Sequence, residues 1–185
     1  MVGDKNELVL FKKSSGAFGG IVGENYDNHD NATAEEMYTV TLHQILKQNQ
    51  APKVVHYFSL DVEGAEFTVL MHMPFDKYSV YVLTIERPTI DVLQILTQEG
   101  YVEVGILGSF GDTMFLSRAT PNFCTVLERA QRKIMELVHP EHRGNSTALA
   151  PRRVNTEQGT IRCPHTELNS CGSTLLHWKH RSRDV

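Results

Sequence analysis

The chain has 185 residues, of which 41% are hydrophobic and 22% charged, the length and composition of one ordinary globular domain. Its net charge of −4 gives no indication of a nucleic-acid or anionic membrane partner. No apolar run approaches the roughly 20 residues of a membrane span and the first residues lack a signal-peptide core, so we expect a soluble protein, cytoplasmic by default, although composition leaves the compartment open.

The first 50 residues predict short elements. Residues 8–11 form a strand, and the glycine-rich residues 14–20 form a turn leading to a second short apolar run. A dinucleotide-binding loop would instead open a helix, so we do not assign these glycines to phosphate binding. Residues 25–31 are a polar loop, and a short helix capped by Thr41 follows.

The centre of the chain predicts a βα unit of a parallel sheet. Val54–Leu60 is rich in β-branched and aromatic residues, which is typical of a buried strand. Residues 65–73 then carry apolar side chains at helical spacing. In open α/β sheets ligands bind at the carboxyl ends of the strands, and Asp61 stands at that end of this strand.

A second apolar run, residues 80–86, predicts another strand that ends on an acid, Glu86. A helix over 89–99 follows, and Tyr101–Leu107 and 113–117 predict an antiparallel hairpin at the sheet edge. Phe123–Val138 predicts an amphipathic helix. We therefore divide the chain into an α/β domain over 1–118, a helix over 119–139 and a disordered tail over 140–185.

The candidate site residues are the carboxylates Asp61, Glu63, Glu66 and Glu86. Asp61 is either a catalytic or ligand-binding carboxylate or the N-cap of the next helix, and its position leaves the two roles about even. The helix dipole accounts fairly well for acids in a first helical turn, such as Glu63 and Glu66.

The sequence gives two further indications about this candidate site. Gly64 is costly inside a helix, which indicates close approach of a ligand or a strand to its backbone. Glu86 either faces the same crevice, which we favour slightly, or pairs with Arg87 at the surface. The cysteines and histidines of the tail match no structural zinc pattern, so we predict no metal site.

Several short motifs follow one another along the chain. The most specific is Ser-Leu-Asp-Val-Glu-Gly-Ala-Glu at residues 59–66. The other motifs are Pro-Phe-Asp at 74–76, Leu-Thr-Ile-Glu-Arg-Pro at 83–88, Gly-Tyr at 100–101 and Phe-Gly-Asp at 110–112. The order and spacing of these motifs resemble the FkbM family of S-adenosylmethionine-dependent methyltransferases, and the resemblance extends from about residue 7 to residue 117. Phe-Gly-Gly-Ile-Val at 18–22 and Ile-Glu-Arg-Pro at 85–88 also resemble Star-type animal proteins associated with secretory trafficking of EGF-receptor ligands.

The resemblance implies a Rossmann-like class I methyltransferase sheet, in which the strands ending at Asp61 and Glu86 are the fourth and fifth. It implies S-adenosylmethionine as cofactor, with Asp61 facing its reactive end and Glu63 and Glu66 on the same rim. It further implies a small-molecule or sugar acceptor, whose hydroxyl a carboxylate can orient and deprotonate.

The family's first strands, with the glycine-rich cofactor loop, have no counterpart in this sequence, so we expect a partial, N-terminally truncated domain that is weak or inactive as an enzyme. The alternative is a non-catalytic Star-like interaction or trafficking domain of the secretory pathway, with a protein cargo as partner. Full-length relatives of that kind would be secretory-pathway membrane proteins. A third hypothesis is a fragment without a stable fold.

Overall fold

The computed structural model describes residues 2–3, 6–13, 18–30, 33–107 and 110–138, which form a mixed α/β structure. The elements in chain order are β1 (Val2–Gly3), β2 (Leu8–Lys12), β3 (Ala34–Tyr38), β4 (Val40–Thr41), α1 (Leu42–Gln48), β5 (Val54–Leu60), α2 (Glu66–Met71), β6 (Ser79–Ile85), α3 (Ile90–Gln98), β7 (Tyr101–Leu107), β8 (Asp112–Ser117) and α4 (Phe123–Val138). The predicted tail over 140–185 lies outside the described residues, and the predicted domain boundaries stay a prediction.

In the part of the chain that the structure describes, the main sheet has four strands in the order β5-β6-β8-β7. Strands β5 and β6 are parallel, whereas β8 is antiparallel to both β6 and β7. The predicted hairpin of β7 and β8 is confirmed. Of these two strands, only β7 lies at an edge of the sheet, because β8 inserts between β6 and β7. This mixed sheet is consistent with a methyltransferase-like fold.

The hydrophobic core is centred on β6, which has a neighbour on each side. Leu83 and Ile85 of this strand are fully buried, and Val92 and Leu96 of α3 are buried in the same core cluster. The nearly continuous apolar run of β6 therefore reflects burial on both faces of the sheet, as is typical of interior strands. The buried end of β6 fixes the position of Glu86, the next residue.

Two small sheets are formed by the N-terminal elements. Strand β3 pairs antiparallel with β2, and β1 pairs parallel with β4. The predicted helix cap is confirmed: the Thr41 hydroxyl accepts from the Gln44 backbone N–H, and the Gln44 side chain accepts from the Thr41 N–H, which is a capping box.

None of the helices in the described part of the chain combines the length and the hydrophobicity needed to cross a bilayer.

Candidate active site at the carboxyl ends of β5 and β6

Three carboxylates converge where the parallel strands β5 and β6 end. The strands are in register at Leu60 and Ile85, so Asp61 and Glu86 leave the sheet side by side. The turn after β5 brings Glu63 to the same place. One carboxylate oxygen of each of these three acids lies within 4.8 Å of the others. The structure thus brings together three of the four predicted site carboxylates.

The backbone of the turn between β5 and α2 is not helical. Glu63 and Gly64 have positive φ angles of 53° and 91°, and the N-cap of α2 is Ala65, which makes no side-chain capping bond. The helix therefore begins at Glu66, later than predicted. The alternative in which Asp61 is the N-cap of this helix is therefore wrong. The Asp61 carboxylate lies beside the other acids at the strand ends.

Glu66, the fourth predicted site residue, lies apart from the cluster. Its side chain is buried, and its carboxylate accepts a hydrogen bond from the Val62 backbone N–H at 3.0 Å. A buried carboxylate that accepts from the backbone holds the turn in shape. In this structure Glu66 supports the segment that carries Asp61 and Glu63, rather than lining the same rim.

Another segment of backbone lies very close to Gly64, as the sequence indicates, and that segment is a loop of this chain. A Cβ atom at Gly64 would lie 2.9 Å from the Asp27 backbone nitrogen and 3.1 Å from the Tyr26 Cα. The Asp27 N–H donates to the Glu63 carbonyl at 3.1 Å. Residues 18–30, which we name the 18–30 loop, are therefore docked on the turn after β5.

Arg87 links this loop to the acid cluster. Its guanidinium forms an ion pair with Asp27, another with Glu86 at 3.1 Å and a longer one with Glu63 at 3.7 Å. The hydrogen bond to Glu86 and then the one to Asp27 raise the pKa of the guanidinium. Glu86 thus does both things that the sequence left open, because it pairs with Arg87 and also lies at the crevice.

The cluster carries more negative charge than Arg87 neutralises. Desolvation and then the charge of Glu86 raise the pKa of Asp61, and its hydrogen bond with Glu86 and the charge of Asp112 add to the shift. Desolvation and the charges of Glu86 and Asp61 likewise raise the pKa of Glu63, whose side chain is 12% exposed. Arg87 lowers both pKa values, but less than the other causes raise them. Raised carboxylate pKa values favour a proton acceptor or a cation site.

A cavity of about 490 Å³ opens beside the cluster. Its lining residues are Phe18, Asp27, Asn28, Glu63, Glu86, Arg87 and Phe110. Phe18 and Phe110 are 71% and 78% exposed. Sequence reasoning missed Phe18, Asp27, Asn28 and Phe110 as site residues. The signal available for the first three was the dense run of Gly, Asn and Asp in residues 18–30.

The chemistry of this arrangement is that of an anionic pocket. Asp61 can accept a proton from a hydroxyl, while Glu63 and Glu86 can hold a positively charged group. Carboxylate oxygens are also the ligands that hard divalent cations prefer, so the same three acids could hold a metal ion. The charge set fits the sulfonium cation of S-adenosylmethionine as well, because opposite charges attract most strongly in a partly desolvated site.

Comparison with known proteins identifies the family. The family model described as the methyltransferase FkbM domain matches residues 3–103, from β1 into β7. Neither the curated proteins nor the solved structures contain a significant match to the chain. Since the family model covers more than half of the 185 residues, this chain belongs to the FkbM methyltransferase domain family.

Proposed function

We propose that this chain is an S-adenosylmethionine-dependent O-methyltransferase domain of the Star-like animal branch, acting on a hydroxyl of a small molecule or sugar. The observation that carries the proposal is the convergence of Asp61, Glu63 and Glu86 at the carboxyl ends of two parallel strands. Family membership implies a methyl donor in general, and the charge of the cluster supports a cationic one.

Asp61 is the proposed general base. A carboxylate with a raised pKa accepts a proton more readily at neutral pH than an ordinary aspartate. S-adenosylmethionine supplies a methyl group on a sulfonium cation, and the negative potential of Glu63 and Glu86 favours that cation. Arg87 holds Glu86 and Asp27 in place, which fixes the wall of the cavity in which the acceptor hydroxyl would be oriented.

Turnover by this chain is expected to be weak. In the described part of the chain, no glycine-rich turn leads from a strand into a helix, which is the usual device for holding a nucleotide cofactor. The same observation favours the second candidate, a non-catalytic Star-like interaction domain. Cofactor affinity separates the two candidates.

The test is calorimetric titration of the purified chain with S-adenosylmethionine and, separately, with its neutral product S-adenosylhomocysteine. We expect micromolar binding with a preference for the cationic form. Asp61→Asn should reduce that preference about tenfold, equivalent to about 1.4 kcal/mol, because it removes one charge from the cluster. The matched control is Asp91→Asn, which removes an exposed acid from the first turn of α3.

A cooperatively melting protein that binds neither compound would contradict the enzyme proposal and favour the interaction domain. If both compounds bind but the preference is unchanged in Asp61→Asn, the cofactor would lie elsewhere and the role of Asp61 would be refuted.

A further inference from the structure

The cavity beside the acid cluster is lined by aromatic as well as charged residues. Phe18 and Phe110 line it, and they are the two most exposed phenylalanines in the part of the chain that the structure describes. Single exposed apolar residues are common, but two that line one cavity are typical of a ligand site. The volume of about 490 Å³ is that of a site for a small molecule.

Both phenylalanines belong to segments that are fixed on the site. The Asn28 side-chain amide donates to the Phe18 carbonyl at 3.3 Å, within the 18–30 loop. Next to Phe110, the Gly111 carbonyl accepts from the Arg87 backbone N–H at 3.3 Å, and a Cβ at Gly111 would lie 3.2 Å from the Arg87 Cγ. The cavity is therefore largely formed before a ligand enters, which lowers the entropic cost of binding.

The polar part of the lining offers a ligand mainly hydrogen-bond acceptors. The carboxylates of Asp27, Glu63 and Glu86 line the cavity, and an oxygen of Asp61 lies within 4.8 Å of oxygens of the last two. Arg87 is the one basic residue among the described lining residues, and its guanidinium already pairs with all three lining carboxylates. A ligand that makes polar contacts here must therefore bring hydrogen-bond donors or positive charge.

We propose that this cavity binds a small organic ammonium ion, with the charged nitrogen beside Glu63 and Glu86 and the alkyl groups against Phe18 and Phe110. Aromatic rings attract ammonium groups and carboxylates pair with them, so both kinds of lining residue contribute to binding. A metal ion would use only the carboxylates, and a neutral apolar molecule would use only the phenylalanines.

The inference names the acceptor class of the proposed methyl transfer, and in calling the ligand an acceptor it rests on that proposal. An acceptor for O-methylation carries a hydroxyl, so we expect an amino alcohol or amino sugar whose nitrogen is charged at neutral pH. The ammonium group would anchor the molecule in the cavity, which leaves its hydroxyl to be directed towards Asp61, the proposed base.

The site carries enough negative charge for two cations, the ammonium ion and the sulfonium of the methyl donor. Besides the carboxylates of the lining, Asp61 and Asp112 belong to the same group of charges, and Arg87 supplies the one guanidinium of the described lining. Desolvation and then the charge of Glu86 raise the pKa of Glu63. A bound ammonium ion would offset the repulsion between these acids.

The first test compares two probes of the same shape by NMR titration of the full chain. Choline carries a hydroxyl and a quaternary ammonium ion, and its neutral analogue has a carbon atom in place of the nitrogen. Potassium chloride keeps the ionic strength equal in the two titrations. We expect choline to bind at least about tenfold more tightly than the analogue, because only choline gains from the carboxylates and from the aromatic rings.

The second test removes each kind of lining residue in turn. Phe18→Leu and Phe110→Leu keep an apolar side chain without the aromatic ring, so each should weaken choline binding about threefold and change binding of the neutral analogue less. Glu63→Gln should weaken choline binding about threefold without loss of the analogue. Phe67→Leu is the matched control, because Phe67 is exposed on α2 and lies outside the cavity lining, and it should leave choline binding unchanged.

Equal binding of choline and its neutral analogue would overturn the proposal. Choline binding that persists unchanged in both variants of the lining phenylalanines would also overturn it, and so would the absence of choline binding to the wild-type chain.

Competition with the neutral product S-adenosylhomocysteine separates this proposal from the methyltransferase proposal. The product should leave choline bound, and displacement of choline would place the cofactor in the cavity and overturn the acceptor assignment. Selective choline binding by a chain that binds neither S-adenosylmethionine nor its product would uphold the ammonium site and refute methyl transfer alone. Cofactor binding without a preference for choline would refute the ammonium site alone.

Discussion

Gly64→Ala should destabilise the protein through two separable effects. The φ angle of 91° is unfavourable for any residue with a Cβ, which costs about 1–2 kcal/mol. The added Cβ would also lie 2.9 Å from the Asp27 backbone nitrogen and 3.1 Å from the Tyr26 Cα. Because backbone atoms cannot move aside cheaply, the contact should add about 1–3 kcal/mol.

Gly100→Ala is the matched control. Its φ angle of 81° imposes similar backbone strain, but a Cβ at Gly100 would meet no atom within 4 Å. The difference between the two free energies of unfolding, measured by urea denaturation, therefore isolates the docking of the 18–30 loop. Limited proteolysis should cleave that loop faster in Gly64→Ala than in Gly100→Ala. Equal destabilisation of the two variants, with equal cleavage, would refute the docking of the loop on the turn.

Three further predictions concern charge and hydrogen bonding. Arg87→Met should lower the free energy of unfolding by about 1 kcal/mol at low salt, since it leaves Asp27 and Glu86 without their shared partner. Added salt should reduce the difference in free energy of unfolding between this variant and wild type, and a difference that does not depend on salt would contradict the prediction. Glu63→Gln should raise the melting temperature at pH 7. The pKa of Glu63 in the folded state lies above the ordinary 4.5, so its stabilising contribution is present at low pH and is lost as pH rises through the folded-state pKa. The gain in melting temperature should vanish as pH falls towards 4.5, and a lower melting temperature at pH 7 would count against the raised pKa. Tyr101→Phe should cost about 1–2 kcal/mol in urea denaturation, because the buried hydroxyl donates to the Val80 carbonyl at 2.8 Å, whereas Tyr38→Phe at an exposed position should change little.

The parts of the fold that follow from local sequence were predictable. The apolar runs of β5 and β6 and the helical period of α3 and α4 predicted elements close to the observed bounds. Strand β3 was not predicted, because Glu35 and Glu36 interrupt any apolar alternation. Its extended conformation is supported by pairing with β2, a contact between residues far apart in sequence.

The site shows the same division between local and long-range information. Position at a strand end was enough to single out Asp61 and Glu86, since parallel strands end at one edge. The pairing of Arg87 with Glu86 was one of the stated alternatives, but its ion pair with Asp27 was not predictable, because it joins residues separated by most of the N-terminal half of the chain. Gly64 signalled a close approach, but its sequence context could not say that the 18–30 loop approaches.

The insertion of β8 between β6 and β7 has a consequence for synthesis on the ribosome. Until β8 has emerged, β6 has β5 on one side and a bare hydrogen-bonding edge on the other, although its Leu83 and Ile85 are the most completely buried residues of the finished sheet. A nascent chain paused before Asp112 would therefore expose the strand most prone to associate wrongly. We expect chaperone dependence during elongation to be greatest over the interval between the emergence of β6 and that of β8.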